Sequence, residues 1–190
     1  RSGDINGDGT PDVLIGAFNE ATVNDRQGAV YVVFGQTTGT VDLSTADAKL
    51  LGQYRHDHAG YDLYSGRDLN GDGYDDMIIG ATKLGGSENG AGYLVYGPVS
   101  GTSSLAYADS ILRGESADDY AGYGVAFSDM SGDGTADIII GSIYNDSGGT
   151  SSGAVYLVES PAPSGDTYLS SSADAKLVGE AVDDVAGNYM

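Results

Sequence analysis

The chain contains no cysteine and no tryptophan, only 4 prolines and 2 histidines, and just 8 lysines and arginines against 28 acidic residues. Each scarcity removes a class of explanation. Without cysteine there is no disulfide framework and no thiolate metal site. A net charge of −20 argues against nucleic-acid partners, which need a basic surface. It also disfavours adsorption to anionic membranes. No apolar run reaches the roughly 18 residues that mark a membrane-spanning helix, and no signal peptide is recognisable. The chain opens at Arg1, three residues before a motif, as expected of a segment cut from a longer protein. No stretch keeps a 3.6-residue apolar period long enough for a helix.

What is present is glycine, 31 residues of it, punctuating short apolar runs without a collagen period. Nearly the same sentence is written three times: Asp4-Ile-Asn-Gly-Asp-Gly-Thr-Pro-Asp12, Asp68-Leu-Asn-Gly-Asp-Gly-Tyr-Asp-Asp76 and Asp129-Met-Ser-Gly-Asp-Gly-Thr-Ala-Asp137. Each runs into an apolar stretch ending in glycine: Val13–Gly16, Met77–Gly80 and Ile138–Gly141. Other features keep step. Gly28–Phe34 recurs as Gly90–Tyr96 and Gly153–Val158, and Ala48–Gly52 as Ser110–Gly114 and Ala175–Gly179. The turn Asp57–Tyr61 recurs as Asp119–Tyr123 and Asp184–Asn188, and all offsets lie between 61 and 65 residues.

Self-similarity at a fixed long period points to a modular fold. In the third copy the β-prone runs are Tyr123–Ser128, Asp137–Gly141, Ala154–Val158 and Ala175–Gly179. Four antiparallel strands per repeat is the blade of a β-propeller. The expected fold is therefore all-β, a single propeller segment over 1–190 with repeat units near 1–62, 63–125 and 126–190, cut within a first strand. The second strand, as in Ile138-Ile-Ile140, is apolar throughout, so neighbouring blades should cover both of its faces. Three blades are too few to close a ring. Aligned on the repeat, Met190 falls opposite Val125 and Arg1 opposite Ala126, so end and beginning would together make another first strand. Further blades are expected from the same parent chain or from another copy.

The nine-residue loop carries oxygen at positions 1, 3, 5 and 9, with position 7 offering its backbone carbonyl. The candidate ligands are Asp4, Asn6, Asp8, Thr10 and Asp12; Asp68, Asn70, Asp72, Tyr74 and Asp76; and Asp129, Ser131, Asp133, Thr135 and Asp137. Calcium takes six to eight oxygens in flexible geometry, and a set without His or Cys argues against zinc or copper. Three Ca2+ sites are expected, one per repeat. The third should be the weakest, because Ser131 replaces an amide carbonyl with a hydroxyl. EF-hand loops begin alike but need an acidic residue at position 12. That position is Ile15, Ile79 or Ile140, so the loop belongs to a hairpin instead.

These residues resemble FG-GAP repeats, the blades of integrin α-subunit propellers and related bacterial surface proteins. Phe34-Gly35 and Tyr96-Gly97 are similar to the "FG", and Gly16-Ala17 and Gly80-Ala81 to the "GA" of "GAP". The acidic loops match the family's calcium loop between the first and second strands. Phe18, Thr82 and Ile143 stand where the family has Pro, and Glu159-Ser160 where it has "FG". The resemblance implies a cell-surface or extracellular protein acting in adhesion, with structural calcium.

Strand direction puts the acidic loops on one rim. The other rim should carry Asn19–Gln27, Thr82–Asn89, Ser142–Ser152 and the turns near Asp57, Asp118-Asp119 and Asp183-Asp184. The resemblance places ligand contacts there, with a protein or a glycan as partner. The chain is not expected to be an enzyme. Gly149-Thr-Ser-Ser-Gly153 matches G-x-S-x-G without the following helix of a nucleophile elbow. His56 and His58 read as turn residues and the paired aspartates as turn or ion-pair groups. Asn145-Asp-Ser147 fits a glycosylation sequon. Two alternatives are a propeller belonging to a secreted polysaccharide-active enzyme and a structural array in a surface filament.

Overall fold

The computed structural model describes residues 2–35 and 37–190. It is almost entirely β, in three sheets, one per repeat. Blade one contains β1 (Ser2–Gly3), β2 (Asp12–Ala17), β3 (Ala29–Val33) and β4 (Ala48–Leu51). Blade two contains β5 (Ala59–Arg67), β6 (Asp76–Ala81), β7 (Ala91–Val95) and, after an intervening β8 (Gly101–Ser104), β9 (Ser110–Arg113). Blade three contains β10 (Ala121–Ser128), β11 (Asp137–Ser142), β12 (Ala154–Val158) and, after β13 (Gly165–Tyr168), β14 (Ala175–Val178). Within each blade these four strands run antiparallel in sequence order. Among the described residues no helix is long and apolar enough to cross a membrane.

The continuous apolarity of the second strands has the expected cause. Every residue of β6 is buried, because blade two lies between the other two. Met77 and Ile79 point into the core shared with blade one, and Ile78 into the core shared with blade three. On β2 only the side toward blade two is covered: Leu14 is 3 % exposed and Val13 is 40 % exposed.

The blades meet through backbone as well as side chains. Gly28, Gly90 and Gly153 form parallel bridges to Ala59, Ala121 and Ala186 of the following first-strand segment. Gly90 has φ +73°, and a Cβ there would lie 2.1 Å from the Ala121 carbonyl oxygen. Only glycine allows both the conformation and the approach.

The expectation of four strands per blade is incomplete for blades one and two, which have five. The extra strand comes from the next repeat, out of the connection between its third and fourth strands. β8 of blade two pairs in parallel with β4, and β13 of blade three pairs in parallel with β9. Each added strand begins at a left-handed glycine, Gly101 at φ +65° and Gly165 at φ +82°. Each ends in a short helical turn whose first residue, Leu105 or Leu169, is 1 % exposed between two blades. This strand-and-leucine unit is a latch. Its physical logic is edge protection: an uncovered outer strand presents unpaired amides and carbonyls.

Candidate metal centre

The three acidic loops lie on one rim, each between the first and second strands of its blade. In each loop the position-9 carboxylate is the most buried of the acidic groups. Asp12, Asp76 and Asp137 are at most 1 % exposed. One oxygen of Asp12 accepts the N–H groups of Ile5 and Asn6 at 2.8 and 3.2 Å, and the other accepts Gly35 N–H at 2.8 Å. Asp76 does the same with Leu69 and Gly97 at 2.6 and 3.0 Å. Asp137 holds Met130, Ser131 and Ser160 at 2.8, 3.1 and 3.2 Å. Burial pushes Asp76 up to about 6, against the pull of the Leu69 and Gly97 amides, and the charges of Asp72 and Asp68 push it further. The loop carboxylates therefore act on one another.

Positions 1, 3 and 5 form the outer arm. Asp4 accepts the N–H groups of Asp8 and Gly9 at 3.0 and 2.9 Å, and Asp68 those of Gly71 and Gly73 at 2.7 and 2.9 Å. Asp129 likewise accepts Gly132 and Gly134 at 2.6 and 3.0 Å. Asn6 and Asn70 donate an amide hydrogen to Asp8 and Asp72 at 3.0 and 2.9 Å. Ser131 makes no such bond to Asp133 among the described residues. The Asn6 bond, followed by the Thr10 amide, holds Asp8 below the usual carboxylate range. Thr10, Tyr74 and Thr135 sit half-buried at position 7 and donate their own N–H to the position-5 carboxylate at 2.8, 3.0 and 2.7 Å.

All fifteen candidate ligands are thus gathered into three loops, but each loop divides into an exposed arm and a buried anchor. Among the described residues no three carboxylate or imidazole groups already stand around a common point. The donor chemistry still suits a hard cation. The side chains are oxygen donors throughout, and an ionised carboxylate has about four lone-pair sites; most oxygens of the outer arm accept a single N–H, which leaves capacity, while one oxygen each of Asp12 and Asp137 already accepts two. Loops one and two also touch: Asp4 and Asp75 exchange bonds of 2.7 and 2.9 Å.

The opposite rim is assembled from the loops expected there. The loop after each second strand is bonded through its backbone to the turn that leads into the next blade. Asp25 accepts from His56, Glu88 from Tyr120 and Ser151 from Val185 at 2.8, 3.1 and 3.2 Å. The paired aspartates are turn groups, with Asp119 accepting Ser116 N–H and Asp184 accepting Ala181 N–H at 3.2 and 2.7 Å. His56 pairs with Asp25 at 2.9 Å, and His58 stacks near Phe18 with ring centres 6.0 Å apart. Strand β12 follows Gly153, where a nucleophile elbow would need a helix.

The sequon does not survive as a glycan site. Asn145 is 3 % exposed, and its amide nitrogen donates to Glu115, Asp119 and the Tyr156 hydroxyl at 3.1, 2.9 and 3.2 Å. Around it lies a polar cluster that sequence reading missed. Lys176 pairs with Glu115 and lies 5.2 Å from the ring centre of Tyr156, its partner across the sheet. Blade one repeats the theme with Lys49, Glu20 and Tyr31. The cross-strand Tyr and Lys were the available signal.

Comparison with known proteins agrees with this architecture. The model of the FG-GAP repeat matches residues 2–33, 59–95 and 121–158, together more than half of the chain. Integrin alpha-5 of Xenopus laevis is 31% identical over 145 residues, 73% of this chain and 14% of that protein. Integrin alpha pat-2 of Caenorhabditis elegans is 35% identical over 86 residues, 44% of this chain and 7% of that protein. Phosphatidylinositol-glycan-specific phospholipase D of Rattus norvegicus is 29% identical over 164 residues, 81% of this chain and 19% of that protein. The chain spans less than a fifth of the length of each of these relatives. Each matched segment starts in a first strand, passes through an acidic loop and finishes on a third strand, so the chain belongs to the FG-GAP repeat family, as three blades of an integrin-like propeller.

Proposed function

We propose that the chain is a calcium-stabilised propeller segment of an extracellular or cell-surface protein that works in adhesion or ligand binding. The observation that carries this is the threefold acidic loop, an all-oxygen donor set presented at the same place on one rim of each blade. Asp4, Asn6 and Asp8, with their counterparts, would hold Ca2+ from the outer arm, joined by the carbonyl of position 7. Asp12, Asp76 and Asp137 would anchor the site from beneath. The ion would supply positive charge where three carboxylates crowd one short loop, and binding only the folded state would raise stability by mass action. Calcium titration monitored by thermal melting, with magnesium as control, tests the reading. A melting temperature indifferent to calcium and to chelator would defeat it.

The ligand would meet the opposite rim, where Phe18, Tyr54 and Tyr144 are 39%, 44% and 43% exposed beside acidic turns. Such aromatic groups serve a protein or a glycan partner. The similarity to a phosphatidylinositol-glycan-specific phospholipase D favours a second reading, in which the same blades form part of a larger secreted enzyme. Glycan-array binding and hydrolase assays on the full-length protein separate the two.

A further inference from the structure

The joint between blades one and two departs from its repeat. Its turn reads Gln53-Tyr-Arg-His56, where the two later turns read Glu115-Ser-Ala-Asp118 and Glu180-Ala-Val-Asp183. The backbone is the same in all three: His56, Asp118 and Asp183 have φ +62°, +65° and +64°. The scaffold therefore does not call for tyrosine, arginine or histidine here. A groove of about 780 Å³ opens at this joint, and Tyr54, Arg55, His56, Ser87, Arg113 and Tyr168 line it. Tyr168 ends β13 where Ser104 ends β8. Ser104 caps its helical turn by accepting Ala106 N–H at 3.2 Å, whereas Tyr168 makes no cap bond and is 52% exposed. Serine is a favoured cap, so a capping bond is given up for an aromatic ring beside the groove.

The polar cluster of blades one and three is dismantled at the same joint. Lys49 and Lys176 face Tyr31 and Tyr156 across their sheets, but Ile111 faces Tyr93. Gln53 replaces Glu115, which accepts the Tyr156 hydroxyl at 2.6 Å. Leu84, also on the groove wall, replaces Asn145. Two buried polar atoms are left over. The Tyr93 hydroxyl, on a fully buried side chain, and the Gln53 side-chain carbonyl have no hydrogen-bond partner among the described residues. Gln53 donates its amide hydrogen to the Tyr54 hydroxyl at 3.0 Å, and the charges of Arg113 and Tyr54 act on Tyr93. Both orphaned atoms thus belong to the surroundings of the groove, and buried polar atoms ordinarily find a partner.

The lining selects a class of ligand. Its cations are already matched: Arg113 donates to Asp166 at 2.5 and 2.6 Å, and Asp25 pairs with Arg55 and His56 at 3.4 and 2.9 Å. What remains is a set of N–H and O–H groups without surplus charge, together with two aromatic rings. An anion would find little net attraction, whereas a polyhydroxylated ring matches both parts. We propose that this groove binds a neutral sugar ring, one residue of a glycan. Tyr54 and Tyr168 pack against its C–H groups, and the guanidinium, imidazole and hydroxyl groups take its hydroxyls. This rests on the reading that this rim meets the ligand, and it chooses the glycan over the protein partner.

The test is titration of the whole 190-residue chain in calcium with glucose, galactose, mannose and N-acetylglucosamine, each to about 50 mM, read by amide chemical shifts. At least one sugar should move the amides of Tyr54, Arg55, His56 and Ser87. Tyr54→Ser and Tyr168→Ser install the residues that the repeat carries as Ser116 and Ser104. Each should weaken binding about tenfold, and Tyr168→Ser should melt no lower than the wild type. Tyr144→Ser, on the same rim at the next joint, should bind as the wild type does. Sugars that move none of these amides, or groove variants that bind normally, would overturn the proposal. So would acetate or phosphate moving those amides where the sugars do not. Sugar binding lost only in Tyr144→Ser would overturn the groove and leave the ligand-facing rim standing. Melting in calcium and in chelator reports the metal reading separately.

Discussion

Gly35 donates its amide hydrogen to Asp12 at 2.8 Å across 23 residues of chain, tying the end of a third strand to the base of the acidic loop. Gly97 and Ser160 make the same tie to Asp76 and Asp137. The anchor carboxylate is therefore part of the fold whether or not an ion is bound. Asp76→Asn would turn an amide toward two N–H donors in a buried place. In chelator it should cost about 2–3 kcal/mol in urea unfolding, whereas Asp72→Asn, on the exposed arm, should leave the midpoint where it was.

In calcium the ranking reverses for the arm. Asp72→Asn removes a charged ligand and should reduce the calcium-induced rise in melting temperature. Ser131→Asn should do the opposite in loop three, by supplying the amide carbonyl that Asn6 and Asn70 already offer. Isothermal titration of the variant should show a tighter third site. A Ser131→Asn protein with an unchanged binding curve would contradict the assignment of position 3 as a ligand.

Gly90→Ala tests the joint between blades two and three. The new Cβ would meet backbone on the next blade at 2.1 Å and strain a residue held at φ +73°. The expected loss is about 2–5 kcal/mol, read by denaturant unfolding. Gly132→Ala is the control. Its φ of +80° brings strain but its Cβ meets nothing within 4 Å, so the loss should be smaller.

Stability should fall at alkaline pH. Burial, then hydrogen bonding to Tyr123, pushes Tyr61 up to about 12. Burial likewise raises Tyr93, Tyr96 and Tyr156, and the Glu88 carboxylate raises Tyr120. These folded values lie above the unfolded one near 10, so between them the folded chain binds more protons. Their contribution is whole below about pH 10 and is lost as pH climbs toward 12. Melting curves together with tyrosinate absorbance check this. Absorbance that titrates near pH 10 for all tyrosines in the folded chain would count against it.

The acidic loops, the apolar second strands and the two rims are legible in the sequence because side chains declare them. Carboxylates at fixed spacing and Ile138-Ile-Ile140 have few other uses. The latch is hidden for the converse reason. Gly101–Ser104 and Gly165–Tyr168 are polar and exposed, without alternation, and they act through backbone pairing with a different repeat. The one side-chain trace is the Gly-x-x-x-Leu spacing at 39, 101 and 165, visible only once the repeat is aligned. Asn145 is misread for a related reason: its sequon describes neighbours in sequence, while its partners Glu115 and Tyr156 lie on other strands and turns.

The latch also sets a timetable. Blade one holds all its own antiparallel strands by Leu51, yet its outer edge is closed only by Gly101–Ser104. Blade two waits in the same way for Gly165–Tyr168. As the chain leaves the ribosome, blades one and two each stay unfinished until most of the successor has emerged. Domains that fold as they are made complete themselves one by one; for blades one and two completion runs one repeat behind synthesis, and until then each carries an open edge.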